Sequence, residues 1–424
     1  MRVMWLHSGL MPSACQALGY ESDIRCGWLE SMLNALSMVD SSVEFCMLGL
    51  DPRPCDIKIG KVRHISLECS YIPQYRRIPA MLQEKTKAAI LDFMPDLIHV
   101  QGTEYFYGCF GEAVYAGVPV VVSLQGMING CHAHYNGELS PYELRGVNFN
   151  ARYFLFGRTI FSIQNTWRTV RSKQERRILR QHRYFIGRTE WDRACVKFYN
   201  NSAVYFKVNE NIRRPFFEIR RDRATIAPHT IFCGAAAAYP LKGVHWLMRA
   251  VASLKDEFPD IQLRIADAQG VKSKGFLRDF LGGHSYQRYL NRLIKELGIQ
   301  GHIELLPRLQ AVDVAKELAS AELFVLPSLC ENSPNSLGEA MLVGTPAIAT
   351  CCGGMQSMLV DGTEGRIVPP GDPFLLAEAI RQSFLFPDNA ERMAEAARAT
   401  ALTRHDAVLN AEAMLRTYKE IVAK

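Results

Sequence analysis

The deciding stretch is Leu323-Phe-Val-Leu-Pro-Ser-Leu-Cys-Glu331-Asn-Ser-Pro-Asn-Ser-Leu-Gly-Glu339. Its first four residues form a continuous apolar run, as expected of a strand buried on both faces of a parallel sheet. Pro327 ends that strand, and a polar loop then leads to a helix starting near Asn335 or Ser336. Ligands of open parallel sheets bind beyond the carboxyl ends of the strands, where Glu331 falls. The free backbone N–H groups of the first helical turn, with the helix dipole behind them, suit a phosphate. Ser333, Asn335 and Ser336 are placed to cap that turn or lend further donors. Glu339 lies about a turn into the helix while Glu331 sits in the loop, and each carboxylate can accept from a pair of sugar hydroxyls. A plain capped helix carrying a glutamate is the simpler account, and the whole string argues against it.

The same alternation extends in both directions. Upstream within the second half, apolar runs at Thr230–Cys233, Ile261–Ile265 and His302–Leu306 alternate with helical patterns at Val244–Lys255, Tyr286–Leu297 and Val312–Ala319, and Pro346–Thr350 follows. The first half repeats the arrangement, with runs at Val3–His7, Glu44–Leu50, Leu97–Val100 and Val118–Leu124 and helical patterns at Trp28–Leu36 and Ala80–Phe93. Continuous apolar strands joined by helices imply parallel sheets covered on both faces. The reading is α/β, with two doubly wound, Rossmann-like domains facing each other across a cleft. A Pro- and charge-rich junction at Arg213–Pro228 separates residues 1–215 from 216–400, and helices fill the chain beyond Pro373. Residues 401–424 form a last helical segment.

Three further places carry candidate chemistry. In Ala238-Tyr-Pro-Leu-Lys242-Gly243, a lysine at a strand-to-helix turn can neutralise a diphosphate, and the glycine admits close backbone approach. Arg25-Cys26-Gly27-Trp28 opens a helix after the first strand and places Gly27 where the backbone can meet a phosphate or sugar. Gly353-Gly354 and Asp361-Gly-Thr-Glu-Gly365 are explained by turn chemistry alone. No Walker A loop, complete Gly-x-Gly-x-x-Gly or Asp-x-Asp pair is present, so no metal ion is expected to be required. His132 and His134 read as loop histidines rather than metal ligands.

Composition sets the outer limits. The 424 residues exceed one ordinary core, 48% are hydrophobic and 22% charged, and no run is long and apolar enough for a membrane span. The N-terminus reads as a strand rather than a secretion signal, and the twelve scattered cysteines read as reduced, mostly buried thiols of a cytoplasmic protein. The net charge of +6 is concentrated between Arg168 and Arg193, where nine basic residues meet Glu175, Glu190 and Asp192. That run is either a solvated helix face or a surface for anionic lipid headgroups or a phosphate-bearing acceptor. Without interleaved aromatics or a binding motif, nucleic acid is not expected as a partner.

Together, Glu331-x7-Glu339, Lys242-Gly243 and Asp361-Gly-x-x-Gly365 resemble the retaining glycosyltransferases of family 4, which have the two-domain GT-B fold. His99-Val-Gln-Gly-Thr-Glu-Tyr105, Gly187-Arg-Thr-Glu-Trp-Asp192 and Asn209-Glu-Asn-Ile-Arg213 look like segments of the bacterial polysaccharide-building members. The resemblance implies that Lys242 binds the diphosphate, Glu331 holds sugar hydroxyls and Glu339 binds the ribose. The backbone of Asn335, Ser336 and Leu337 would line the donor, Gly27 would approach the diphosphate, and the last helix would return to the N-terminal domain. Three positions depart from the family pattern: an arginine before the lysine is replaced within Ala235–Ala238, a glycine pair appears as Cys26-Gly27, and a histidine appears as Gln125.

The implied activity is metal-independent transfer of a hexose from a UDP- or GDP-linked donor to a glycan or lipid-linked acceptor, with retention and no cofactor. Its setting would be exopolysaccharide, capsule or lipopolysaccharide-type assembly, in the cytoplasm or at the inner face of the cell membrane. Two alternatives stay open: a sugar-nucleotide epimerase or hydrolase of the same fold, and a non-catalytic sugar-nucleotide-binding partner.

Overall fold

The computed structural model describes residues 1–20, 26–69, 78–145, 155, 157, 159–234, 239–272 and 285–424; Arg25 and Ala235–Ala238 lie outside the described residues. Two compact units emerge, the first from Met1–Asn129, Thr169–Arg213 and His405–Lys424, the second from Gly130–Arg168 and Arg214–Arg404. Gly130–Arg168, placed in the N-terminal domain by the sequence reading, therefore groups with the second unit.

The first unit is built on β1 (Arg2–Leu6), β2 (Glu44–Asp51), β3 (Cys55–Ile59), β4 (Val62–Glu68), β5 (Leu97–Gln101), β6 (Val120–Ser123), β7 (Tyr184–Gly187) and β8 (Val204–Lys207). They form one sheet in the order β3-β4-β2-β1-β5-β6-β7-β8. All neighbours are parallel except β3 and β4, which form an antiparallel hairpin at the edge. Apolar side chains pack on both faces, with Met4, Leu6 and Leu48 in one core and Val3, Trp5 and Phe45 in the other. This two-sided burial is why the central strands are apolar throughout.

The helix Ala407–Val422 closes the second of those cores, contributing Ala411, Met414, Leu415, Tyr418 and Ile421. Its seat is polar as well as apolar. The Tyr418 hydroxyl accepts from the Trp5 indole at 3.0 Å and lies 2.6 Å from His99 Nδ1, while His99 Nε2 lies 2.6 Å from Ser123 Oγ. Polar groups this deep must be paired, so the network fixes the helix in one register against the sheet.

The second unit carries β9 (Ala227–Cys233), β10 (Gln262–Ile265), β11 (Ile303–Leu305), β12 (Ala321–Leu326), β13 (Ala347–Thr350) and β14 (Arg366–Val368), all parallel. Their order is β11-β10-β9-β12-β13-β14. Counted within the unit this is the doubly wound order, third strand outward to first and then fourth to sixth, with the direction of winding reversing between β9 and β12. A crevice opens at such a reversal, beyond the carboxyl ends of the two strands.

Candidate functional site

Two turns flank that reversal. After β12 the chain runs through Pro327–Pro334 into the helix Asn335–Val343. After β9 it resumes in the described residues at Tyr239, makes a single tight turn over Pro240–Lys242 and enters the helix Val244–Leu254. The turns are fastened to each other: Leu329 N–H donates to the Leu241 carbonyl at 2.9 Å. Gly243, at φ +68°, lies against Pro327 so closely that a β-carbon would stand 2.8 Å from the Pro327 carbonyl carbon and nearer still to its oxygen. Only a glycine tolerates both that dihedral and that approach.

The fastening delivers Lys242 to Glu331. The ammonium donates to Glu331 Oε1, and Ser328 Oγ donates to the same oxygen at 3.0 Å. The pair keeps partial access to solvent, with 30% of the Lys242 side chain and 14% of the Glu331 side chain exposed. Burial alone would lower the Lys242 amine. The charge and hydrogen bond of Glu331 more than reverse that, so its pKa is raised and the ammonium form is held.

Glu331 is gripped through its backbone too. The Glu331 carbonyl accepts from Gly354 N–H at 2.9 Å, and Gly353, at φ +53°, would place a β-carbon 3.1 Å from the Glu331 carbonyl carbon. The Ser328 carbonyl accepts from Thr350 Oγ1 and from Cys352 Sγ, the latter at 3.2 Å. The Gly353-Gly354 pair, readable as ordinary turn chemistry, thus shapes the backbone under the carboxylate. In the Asp361–Gly365 loop Asp361 Oδ1 accepts from Ile367 N–H at 2.8 Å and Gly365 O from Gly362 N–H at 2.8 Å, while Glu364 Oε1 accepts from Thr400 Oγ1 at 2.5 Å.

The helix begins at Asn335, with Pro334 as its N-cap and no side-chain cap. The expected capping by Ser333, Asn335 or Ser336 is absent: Ser333 Oγ instead contacts Met358 Sδ at 3.5 Å and accepts from Arg404 Nη2 at 3.4 Å. Proline offers no side-chain acceptor, so among the described residues no side chain caps the first turn. Leu337 is a core residue, fully buried, which leaves its backbone for any ligand, and Glu339 is buried one turn into the helix. The structure thus brings together Lys242, Glu331, Ser328 and the start of this helix, with Asn335 and Ser336 at that start. Gly27 belongs to the first unit, where it opens the helix Gly27–Val39; a β-carbon there would make only an ordinary 3.6 Å contact with Arg213, so packing does not demand glycine.

The first-unit motifs turn out to hold one another. Arg188 pairs with Glu210 at 2.6 Å, both nearly buried, and donates to the Leu124 carbonyl at 2.7 Å and to Gln125 Oε1 at 2.8 Å. Thr189 and Asp192 form a reciprocal capping box for the helix Glu190–Tyr199. Gln125 therefore has its amide oxygen committed to a structural arginine.

The basic run also divides into inside and outside. Glu175 is buried and accepts from Thr103 Oγ1 at 2.7 Å and from the backbone N–H groups of Ile128 and Asn129 at 2.9 and 2.6 Å. Burial pushes its carboxyl up, and those donors pull part of the shift back. With Glu175 turned inward, Lys173, Arg176, Arg177, Arg180 and Gln181 of the helix Ser172–Gln181 line an open hollow of about 510 Å³. Among the described residues, no group of three His, Cys, Asp or Glu side chains gathers at metal-binding distance, and no helix is long and apolar enough to cross a membrane.

Comparison with known proteins matches residues 216–400 to the family described as glycosyl transferases group 1. The D-inositol 3-phosphate glycosyltransferase of Corynebacterium urealyticum is 31% identical over 156 residues, covering 37% of this chain and 34% of that protein. The phosphatidyl-myo-inositol mannosyltransferase of Mycobacterium leprae is 29% identical over 183 residues, covering 43% of this chain and 44% of that protein. The matched stretches thus span a third to under a half of these relatives. Among solved structures, sucrose-phosphate synthase from Thermosynechococcus elongatus superposes with a TM-score of 0.72 at 17% identity, covering 100% of both chains. Anabaena HepE in complex with UDP and glucose gives 0.66 at 15% identity, covering 99% of this chain and 100% of that one. At these identities the likeness is one of fold.

Proposed function

We propose, from the membership of residues 216–400 in the glycosyl transferases group 1 family and the GT-B fold of the chain, that this protein transfers a sugar from a nucleotide-sugar donor to an acceptor hydroxyl. The observation that carries the reading is the Lys242–Glu331 pair at the reversal of the second sheet, beside a helix start with no side-chain cap. A diphosphate brings negative charge suited both to the lysine, which it takes over from Glu331, and to a helix N-terminus with no side-chain cap. Lys242 turns from Glu331 to the diphosphate, and the first-turn N–H groups of Asn335 and Ser336 share the load. Glu331, freed, accepts from sugar hydroxyls, and Glu339 accepts from the ribose.

The chemistry is retaining. As the bond from the anomeric carbon to the diphosphate oxygen breaks, that carbon takes on oxocarbenium character, and charge accumulates on the leaving group where Lys242 and the helix stand. The acceptor oxygen bonds to the anomeric carbon from the same face, and its proton passes to the departing phosphate oxygen. Lys242 supplies the cation, so the reading calls for no metal ion. HepE, of the same fold, is described with UDP and glucose, which supports a UDP-linked donor over a GDP-linked one. The acceptor in this reading is a glycan or lipid-linked saccharide of polysaccharide assembly. The exposed Lys173, Arg177 and Arg180 favour work on the cytoplasmic side of an anionic membrane.

Calorimetric titration with UDP-glucose and GDP-mannose tests the donor site, followed by turnover with a saccharide acceptor panel. Tight donor binding by the parent, lost in Lys242→Ala and Glu339→Ala, is expected; equal binding by all three proteins refutes the assignment. Donor breakdown or epimerisation without acceptor, at the full rate, would favour the hydrolase or epimerase. Flotation with vesicles containing anionic lipid at low salt tests the membrane contact, which fails if the triple variant K173E/R177E/R180E floats as well as the parent.

A further inference from the structure

We propose that Cys131 and Cys330 are the two halves of a reversible disulfide that fastens the Glu331 loop to the segment beginning at Gly130. The two sulfurs are 3.1 Å apart, in a contact between residues 199 positions apart in sequence. Both side chains are buried, at 7% and 5% exposure, and both are in the reduced, thiol state. A disulfide needs about 2.05 Å between sulfurs, so closure requires a movement of roughly 1 Å and no rebuilding of either strand of chain. Holding two thiols in contact gives them an effective concentration that no bimolecular partner reaches.

Neither half is free to drift away. Residues 131–145 are strapped to the second unit at several points beyond the thiol. The Gly137 carbonyl lies 2.9 Å from His245 Nε2, Glu143 pairs with Arg249 at 2.6 Å, and the Arg145 carbonyl accepts from Arg292 at 2.8 Å. Cys330 is covalently next to Glu331, whose backbone is gripped by Gly354. The third nearby thiol is a bystander: Cys352 donates to the Ser328 carbonyl, and burial pushes it up to about 12, so it stays protonated. The Lys242 ammonium is electrostatically coupled to Cys131, a contact that works against the effect of burial on that thiol.

A peroxide is the oxidant the chemistry calls for. The thiolate of one cysteine attacks a peroxide oxygen, the O–O bond breaks, and the expelled hydroxide takes up a proton to leave as water. The sulfenic acid so formed is attacked by the second sulfur; its S–O bond breaks, and a second water departs with that thiol's proton. Two thiols are oxidised and one peroxide is reduced to two waters. A dithiol reductant reverses the step by exchange.

The consequence rests on the donor-site reading above: Glu331 must release Lys242 for a diphosphate to enter. Drawing Cys330 toward Cys131 displaces and stiffens the residue that has to move, so donor affinity falls several-fold on oxidation. The full-length chain is compared after reduction and after exposure to hydrogen peroxide, by non-reducing digestion with mass spectrometry and by titration with UDP-glucose. The expected result is a peptide pair linked through Cys131 and Cys330, weaker donor binding, and recovery of both on adding dithiothreitol. Cys131→Ser and Cys330→Ser are each expected to bind donor alike before and after peroxide. Exposed Cys351 serves as the internal control for oxidant exposure. Free Cys131 and Cys330 after Cys351 has fully reacted would overturn the proposal, as would the linked pair with unchanged affinity. A reduced protein that binds no sugar nucleotide would count against the donor site instead, and peptide mapping would still decide the disulfide.

Discussion

Replacing Gly243 by alanine should damage donor chemistry far more than a glycine-to-alanine change of the same backbone type elsewhere. Gly243 has φ +68°, and Gly298 has φ +62°. Forcing an L-residue into this region costs about 1–2 kcal/mol at either site. The surroundings then separate them. At Gly298 the new methyl meets only the ammonium at the far end of the long Lys255 side chain, at 3.4 Å. At Gly243 it meets the Pro327 carbonyl, with the carbon at 2.8 Å and the oxygen closer, and Leu329 Cδ1 at 3.3 Å. Carbon atoms rest at about 3.5–4.0 Å, so the Lys242 turn and the Pro327 loop must part by roughly 1 Å. That breaks the Leu329–Leu241 hydrogen bond and draws Lys242 from Glu331. A misplacement of about 1 Å at a reacting centre can cost on the order of 10²-fold in rate. Thermal unfolding and donor turnover should therefore diverge: both variants lose some stability, G243A more, while only G243A loses roughly two orders of magnitude in turnover. Equal turnover in G243A and G298A would refute the claim that this contact places Lys242.

Lys242→Met strands a partly buried carboxylate and should cost about 1–2 kcal/mol of stability and at least about 10²-fold in turnover; Glu331→Gln, which leaves the lysine free for phosphate, should spare donor affinity more than Lys242→Met does. The double variant should lose less than the sum, because the partners act on each other; strict additivity in a denaturation cycle would show that they do not. Acid should unfold the first unit before the second. Burial lowers His7 and His64 to about 4 and His99 to about 3, all in the first unit, whereas the second holds only His245 at about 3 among residues so strongly depressed and described here. These imidazoles stay neutral when folded and protonate when unfolded, so their contribution is complete above pH 6.5 and is lost as pH falls toward 4. At pH 5 each costs about 2 kcal/mol, and three approach the net stability of a domain. Hydrogen exchange between pH 7 and 4.5 should show the first sheet opening first; simultaneous opening would refute it. Tyr418→Phe removes a hydroxyl that faces Trp5 and His99, leaves the Trp5 indole N–H without its acceptor while His99 Nδ1 keeps Gln101 Nε2 at 3.0 Å, and should cost about 1–3 kcal/mol, read by denaturant unfolding.

How much of this was legible in the sequence depended on whether the interaction was local. The strands at Leu323–Leu326 and Thr230–Cys233 announced themselves because two-sided burial demands unbroken apolar runs. β3 and β4 did not: Ile57, Ile59 and Val62 alternate with Lys58, Lys61 and Arg63, as an edge hairpin with one wet face requires, and the eye looking for parallel strands passes over them. Lys242 and Glu331 were each readable as site candidates, but their pairing was not, since 89 residues separate them and only the strand order brings their turns side by side. Gly243 shows the difference in kind. In the sequence its glycine reads as room for close backbone approach, and the nearer reason is the Pro327 carbonyl. The segment after Gly130 was the least legible of all, because beside the Glu143–Arg249 pair its attachment to the second unit runs through the backbone carbonyls of Gly137 and Arg145, which any sequence would supply. What the sequence did contain was the other half of each bond, His245 and Arg292, together with two cysteines that composition alone files among buried thiols. A buried histidine must find a partner for each ring nitrogen, and asking where His245 finds its own leads to Gly137, and six residues upstream to the thiol that touches Cys330.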